Sequence, residues 1–309
     1  MKVISLLSAA ALCFSDVRAY VSSPSLVNRR SSCSSLQAAT SSFLEEGDTI
    51  CVVGCTGGVG QIVMNILSED KKYERRGCSR DVEKAKDLLG SEGDWTQYDI
   101  VKDGIGVAKK AIAGSDGVIV CTGTSAFPSN RWQGGSTPEA IEEGNRIIFD
   151  AIAEINKNCA DNDKSDGKSN GKRVKKVMLV TSIGTTEERR KSFPFLILNA
   201  FNVLTSKGQS EQYLKEVSNN GSLFDYLIVR PGRLVGGPWT NSDLSGLLKL
   251  DSSTGVKLQT GDVLSGDCNR LSVGKVIMKA MELQSVRNKD FCLADDDENF
   301  EIEKQLKQL

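Results

Sequence analysis

The sequence contains no histidine. That absence removes the Ser-His-Asp triad, the Cys-His pair and every histidine-ligated metal centre, and with them much of hydrolase chemistry. Its nine cysteines (Cys13, Cys33, Cys51, Cys55, Cys78, Cys121, Cys159, Cys268 and Cys292) form no Cys-x-x-Cys pair. Several sit in apolar strand-like runs, where thiols pack as small hydrophobes, so neither a disulfide framework nor a zinc site is expected. An excess of charge of one sign is also missing. The formal net charge is -1 and the basic clusters at Lys172 to Lys176 and Arg189 to Lys191 are short or interrupted, so no global field would draw in nucleic acid. No transmembrane segment is expected, because the apolar stretch from Val3 to Phe14 is too short to cross a bilayer. What remains is a 309-residue chain, 39% hydrophobic, ample for one large domain.

The front of the chain reads as an address. Lys2, the apolar stretch to Phe14 and then Val17-Arg18-Ala19 have the charged start, apolar middle and small-residue cleavage site of a secretory signal, ending near residue 19. From Arg18 to Leu44 there is no acidic residue, while serines accompany Arg29 and Arg30, as in an organelle transit peptide over residues 20–44. Two addresses in series resemble the bipartite presequences of algae with complex plastids, with Tyr20, Val21 and a displaced Pro24 just after the cleavage site. The resemblance implies a plastid stroma. Plain secretion is the alternative, although so many unpaired thiols favour a reducing organelle.

The most informative run is Ile50 to Gln61. Here an apolar strand breaks into spaced glycines and then a helix. Gly54 allows the tight turn, Gly57 and Gly58 let the backbone approach phosphates, and Gly60 lets the helix pack on the strand. The amide groups of Thr56, Val59 and their neighbours face the negative charge. This spacing predicts a dinucleotide site. Beyond it strands are expected at Ile50 to Val53, Tyr73 to Cys78, Trp95 to Tyr98, Gly117 to Cys121, Lys176 to Thr181, Asp225 to Val229 and Asp290 to Leu293. Helices are expected at Gly60 to Ser68, Val82 to Leu89, Val107 to Ala113, Pro138 to Ile155, Phe195 to Ser218 and Ser272 to Leu283. The alternation predicts an α/β fold with a doubly wound parallel sheet over residues 45–309. Asn158 to Lys172 reads as a solvated insertion, and the part after Gly232 as a small C-terminal lobe for the substrate.

About twenty residues past a glycine loop, an acid accepts the ribose hydroxyls of NAD, or a basic residue meets the 2′-phosphate of NADP. That position holds Ser79-Arg80-Asp81. Ser79 and Arg80 suit a phosphate, which favours NADP, while Asp81 as a ribose ligand for NAD is the competing reading. Asp99 and Ile100 end the third strand, where they could meet the adenine, and Thr122-Gly123-Thr124 ends the fourth at the cofactor crevice. Each also suits an ordinary strand-end turn. Cys55 lies in the phosphate loop, either as a thiol of lowered pKa at a helix N-terminus or as a small loop residue.

Taken in order, Gly54 to Gly60, Ser79 to Asp81, Thr122 to Thr124, Val180-Thr181-Ser182-Ile183-Gly184, Lys207 with Glu211, and Val229-Arg230-Pro231-Gly232-Arg233-Leu234 resemble the atypical short-chain dehydrogenase/reductase family over about Asp48 to Leu283. The likeness is greatest to its NmrA-like, plastid-type branch of plants and algae. It implies a Rossmann-type NAD(P) domain, with Pro231 and Gly232 near the cofactor, and a catalytic serine with a Tyr-x-x-x-Lys pair. Ser182 and Lys207 match two of those three; the tyrosine position holds Val203. Tyr213 lies six residues past Lys207, round the helix from the required face. Lys207 and Glu211, at i and i+4, are expected to pair. Ser182 reads equally as a catalytic group or a strand-end hydrogen bonder. Phe127, Arg131, Trp132, Phe195, Trp239 and Asn241 are candidate pocket residues or lobe packing. The expected function is an NADP(H)-dependent reductase of an unknown small planar or carbonyl-type molecule. The alternative is a non-catalytic NADP-binding assembly factor with thylakoid-surface or protein partners.

Overall fold

The computed structural model describes residues 43–125, 127–166, 172–220, 224–237, 255–296 and 301–309. The address segment, Trp239 and Asn241 lie outside the described residues. Phe43 and Leu44, assigned above to the presequence, belong to the fold: Leu44 packs against Gly117, and Arg287 stacks on the Phe43 ring.

The first half alternates β1 (Thr49–Val53), α1 (Gly58–Asp70), β2 (Glu74–Ser79), α2 (Val82–Leu89), β3 (Asp94–Gln97), α3 (Ile105–Ile112) and β4 (Gly117–Val120). Then follow α4 (Asn130–Gln133), α5 (Pro138–Asp166), β5 (Lys176–Val180), α6 (Glu187–Arg190), α7 (Phe195–Leu198), α8 (Val203–Asn219) and β6 (Asp225–Pro231). The C-terminal part holds β7 (Arg233–Val235), β8 (Gly255–Thr260), β9 (Asp267–Asn269), α9 (Arg270–Glu282), β10 (Lys289–Asp296) and α10 (Ile302–Gln308). Eight strands form one sheet in the order β3-β2-β1-β4-β5-β6-β10-β8, parallel except for the β10–β8 pair. The run 3-2-1-4-5-6 is the doubly wound dinucleotide order, with its switch point between β1 and β4.

The central strands are apolar on both faces because both are covered. One face carries α1, α2 and α9 over Val52, Ile119 and Met178; the other carries α3, α5 and α8 over Val53, Val120 and Leu179. Lys176 is one of the charged residues buried on these strands. Its ammonium donates to the carbonyls of Ala280 (2.8 Å), Met281 (3.2 Å) and Leu283 (2.9 Å), closing the C-terminus of α9, and burial lowers its pKa to about 8.

Three expectations change. The helix expected from Phe195 to Ser218 is broken, because Asn199 Oδ1 accepts the amides of Leu204 (2.9 Å) and Thr205 (3.0 Å) and Asn202 takes a left-handed conformation (φ 59°). The helix expected to stop at Ile155 runs to Asp166, since its buried face continues through Asn156, whose side chain exchanges two hydrogen bonds with the Val174 backbone. No separate lobe forms from the described residues after Gly232. β8 and β10 extend the main sheet, α9 covers it, and only β7 with β9 makes a small second sheet. β7 and β9, three residues each, are too short to show an alternation, whereas β8 does alternate, with Val256 and Leu258 buried and Lys257 and Gln259 exposed.

Candidate functional site

The loop between β1 and α1 is built by backbone contact. Gly54 has φ +83° and sits so close to the end of β4 that an added Cβ would lie 3.1 Å from the Cys121 carbonyl oxygen. A Cβ on Gly60 would fall 2.3 Å from the Gly54 oxygen, so this turn closes only with hydrogen there. Gly57 occupies the N-cap with no side-chain cap, and no acidic residue stands in the first turn. Gly58, Val59 and Gly60 therefore present their amides at the positive end of α1, a fit for a pyrophosphate. Thr56 contributes its carbonyl to the loop, accepting from Gln61 Nε2 at 2.8 Å.

Cys55 is fully buried beneath this loop, and its thiol bonds the Cys78 carbonyl at 3.2 Å. Burial pushes its pKa up to about 12, so the reading of an activated thiol is corrected: loss of water outweighs the helix terminus. None of the seven described cysteines is joined in a disulfide.

At the end of β2 the Ser79 hydroxyl is engaged locally, bonding both the carbonyl (2.9 Å) and the amide (3.1 Å) of Asp81. The Asp81 carboxylate caps α2 by accepting from the Lys84 amide at 3.0 Å. Arg80 is exposed, with Nη1 3.4 Å from Ser136 Oγ. Asp99 bonds the Val101 amide (3.0 Å) within its turn, and Ile100 is buried where α5 approaches at Gly144. Ile100 is thus part of the core rather than a free cover. Pro231 and Gly232 are also bound into the fold, accepting from the Ile183 amide (3.0 Å) and donating to the Leu293 carbonyl (2.9 Å), and neither lines the pocket described next.

Beyond β4 and β5 a pocket opens, lined among others by Thr122, Gly123, Thr124, Thr181, Val203 and Lys207. Val203 and Lys207 stand one turn apart on α8, the register the missing tyrosine would need. Lys207 Nζ donates to Ser182 Oγ at 3.2 Å. Burial lowers the Lys207 pKa to about 8, opposed by the charge of Glu211. The two do not form the expected ion pair. Glu211 is instead buried with Arg230 (Nη2 to Oε2, 2.7 Å), and it accepts from Thr181 (2.5 Å) and Thr185 (2.8 Å) on either side of Ser182. Tyr213 points elsewhere, donating to Asp150 at 2.7 Å. Thr122 donates to Asn145 (2.8 Å), which donates to Ser210 (3.2 Å). Thr124 Oγ1 is buried with no protein partner, a polar atom that a ligand in this pocket would satisfy.

Asp262 was not foreseen. It accepts from the Gly184 amide (2.8 and 3.0 Å) and from the Thr186 amide and hydroxyl (both 3.0 Å), fixing the loop that carries Ser182. Sequence distance hid it, since the partners lie some 78 residues apart.

The sequence matches the model of an NAD(P)H-binding family over residues 54–283. The chain belongs to that family. No curated protein sequence matches it. Among solved structures it is similar to the oxidoreductase ylbE from Lactococcus lactis, at 18% identity and a TM-score of 0.60 over 84% of this chain and 96% of that one. The anaerobillin reductase ChuY from Escherichia coli O157:H7 aligns at 16% identity and a TM-score of 0.56, covering 82% and 100% of the two chains. A short-chain dehydrogenase/reductase from Veillonella parvula in complex with NADP aligns at 13% identity and a TM-score of 0.53 over 82% and 97%. These likenesses establish the Rossmann-type α/β fold.

Proposed function

We propose that this protein is an NADPH-dependent reductase of a planar carbonyl- or quinone-like acceptor in which Lys207 and Ser182 deliver the proton that other family members take from tyrosine. The observation that carries the reading is the 3.2 Å contact between Ser182 Oγ and the Nζ of Lys207, a residue that lines the pocket beyond β4 and β5. A nicotinamide dinucleotide held at the glycine loop would supply hydride chemistry at the acceptor carbon. Completing the two-electron reduction requires one proton on the acceptor oxygen. Ser182 gives it up and recovers it from the Lys207 ammonium, which solvent recharges. Val203 walls the pocket without competing for that proton. Outside that lining, Phe201 meets Phe127 and Trp132 edge-on at 6.1 and 5.9 Å, and Phe201 and Phe127 are exposed, an aromatic surface that suits a flat apolar molecule.

The NADP preference is supported by Asp81, whose carboxylate is committed to the cap of α2, leaving Arg80 at the ribose end. A solved relative also holds NADP. Replacing Arg80 with alanine is expected to weaken NADPH binding about tenfold and NADH binding less than twofold. Equal losses in fluorescence titrations would overturn the phosphate assignment.

NADPH consumption against a panel of quinones, flavins and tetrapyrroles tests the activity. Oxidation with at least one class, lost when Ser182 becomes alanine, is the expected result. The engagement of Tyr213 by Asp150 and the valine at position 203 also suit a binding protein without turnover. Tight NADPH uptake with no oxidation of any acceptor would establish that second reading instead.

A further inference from the structure

Ser182 stands on a turn that the sheet only half holds. The amides of Thr181 and Ile183, on either side of it, donate to the carbonyls of Val229 (2.9 Å) and Pro231 (3.0 Å), and Pro231 is where β6 ends. At Gly184 the chain leaves this ladder with φ +86°, and a Cβ there would fall 2.3 Å from Phe195 Cδ1, so only glycine makes the turn. Asp262, buried just past the end of β8, then takes over as acceptor. Both its oxygens meet the Gly184 amide, and Oδ2 also accepts from the amide and the hydroxyl of Thr186. Arg189 ties the same two segments a second time, donating to the Leu264 carbonyl (2.7 Å) and to Ser265 Oγ (2.9 Å). The turn also rests directly on α8, where a Cβ on Gly208 would lie 2.5 Å from the Thr185 oxygen. Gly208 follows Lys207, so this close approach fixes how near Ser182 comes to the ammonium.

We infer that Asp262 is a positioning residue for proton delivery: it collects the backbone donors that β6 no longer reaches and so holds the Ser182 hydroxyl at Lys207. The inference rests on the reductase reading, in which Ser182 gives up the proton. Three donors converge on Asp262, and an ionised carboxylate can accept all of them, whereas the amide of asparagine would turn an NH2 group toward one of the N–H groups. Asp262 is not part of the pocket lining, and the Lys207 pKa answers to burial and Glu211. Its action is therefore geometric. A misplacement of about 1 Å is enough to cost about 100-fold in rate.

The test compares full-length Asp262→Asn with wild type on whichever quinone, flavin or tetrapyrrole supports NADPH oxidation. kcat should fall about 10- to 100-fold while NADPH affinity stays within about twofold. Because proton delivery then limits turnover, the solvent deuterium isotope effect on kcat should rise. A purely structural loss would reduce the amount of folded protein and leave that isotope effect where it was. Thr186→Val removes one donor and keeps the carboxylate; it should lower kcat about two- to fivefold with the same rise in isotope effect, and it decides the case if Asp262→Asn does not fold. Wild-type kcat in the folded variant, NADPH affinity that falls in step with kcat, or an unchanged isotope effect would overturn the inference. Wild-type protein that binds NADPH and oxidises it with no acceptor overturns the reductase reading and this one with it; wild-type turnover that is indifferent to Asp262 and Thr186 overturns this one alone.

Discussion

Glu211→Ala is expected to destabilise the protein by about 3–5 kcal/mol, the cost of leaving a buried charge without its partner. The side chains of Arg230 and Glu211 are 2% and 5% exposed, so water cannot take over the interaction. Burial opposes the charge on Arg230, and Glu211 with Asp290 more than reverses that effect. After the substitution Arg230 keeps one charged partner, Asp290 at 2.6 Å, and the neutral Thr185 Oγ1 at 3.0 Å, while the Thr185 hydroxyl loses its acceptor and Thr181 is left with the Val229 carbonyl at 3.5 Å. A loss of this size is a large fraction of an ordinary domain's stability and is measured directly by urea unfolding. A change below about 1 kcal/mol would show that solvent reaches the pair. Glu211→Gln separates packing from charge. It keeps the shape of the side chain and one acceptor oxygen, removes the field that raises the Lys207 pKa, and should shift the alkaline limb of the activity profile to lower pH.

The second large effect is expected at Lys207. Lys207→Ala should lower turnover by about 100-fold or more, the usual worth of a positioned general acid, and should also weaken NADPH binding. Here the sign of the pH dependence follows from the pKa of about 8. Below it the ammonium is charged and can donate, and above it the donor is lost, so kcat should fall about tenfold per pH unit on the alkaline side. In Lys207→Ala that limb should disappear. A substituted protein with native stability, unchanged NADPH affinity and the wild-type pH profile would remove Lys207 from the mechanism.

The cofactor half of this protein was legible because its determinants are local. The glycine loop, the strand before it and the helix after it occupy one continuous stretch, and the contacts of Gly54 and Gly60 explain the glycine spacing. The register of α8 was equally readable, since Val203 and Lys207 differ by one helical turn. Less legible was the break at Asn199 to Asn202, where a side-chain cap competes with helix propensity. The partner of Glu211 was misassigned for a related reason: helical spacing offers Lys207 as a neighbour, but Arg230 on the adjacent strand offers a forked donor with water excluded.

By itself the amino-acid sequence determined the alternating fold, the glycine turn between β1 and α1 and the valine at position 203, because each is written in residues within a few positions of one another. Only the tertiary structure decided what Lys207, Glu211 and Asp262 touch. Their partners come from distant strands and helices, and in a buried site the partner is chosen by which charges and hydrogen-bonding groups the packing encloses together.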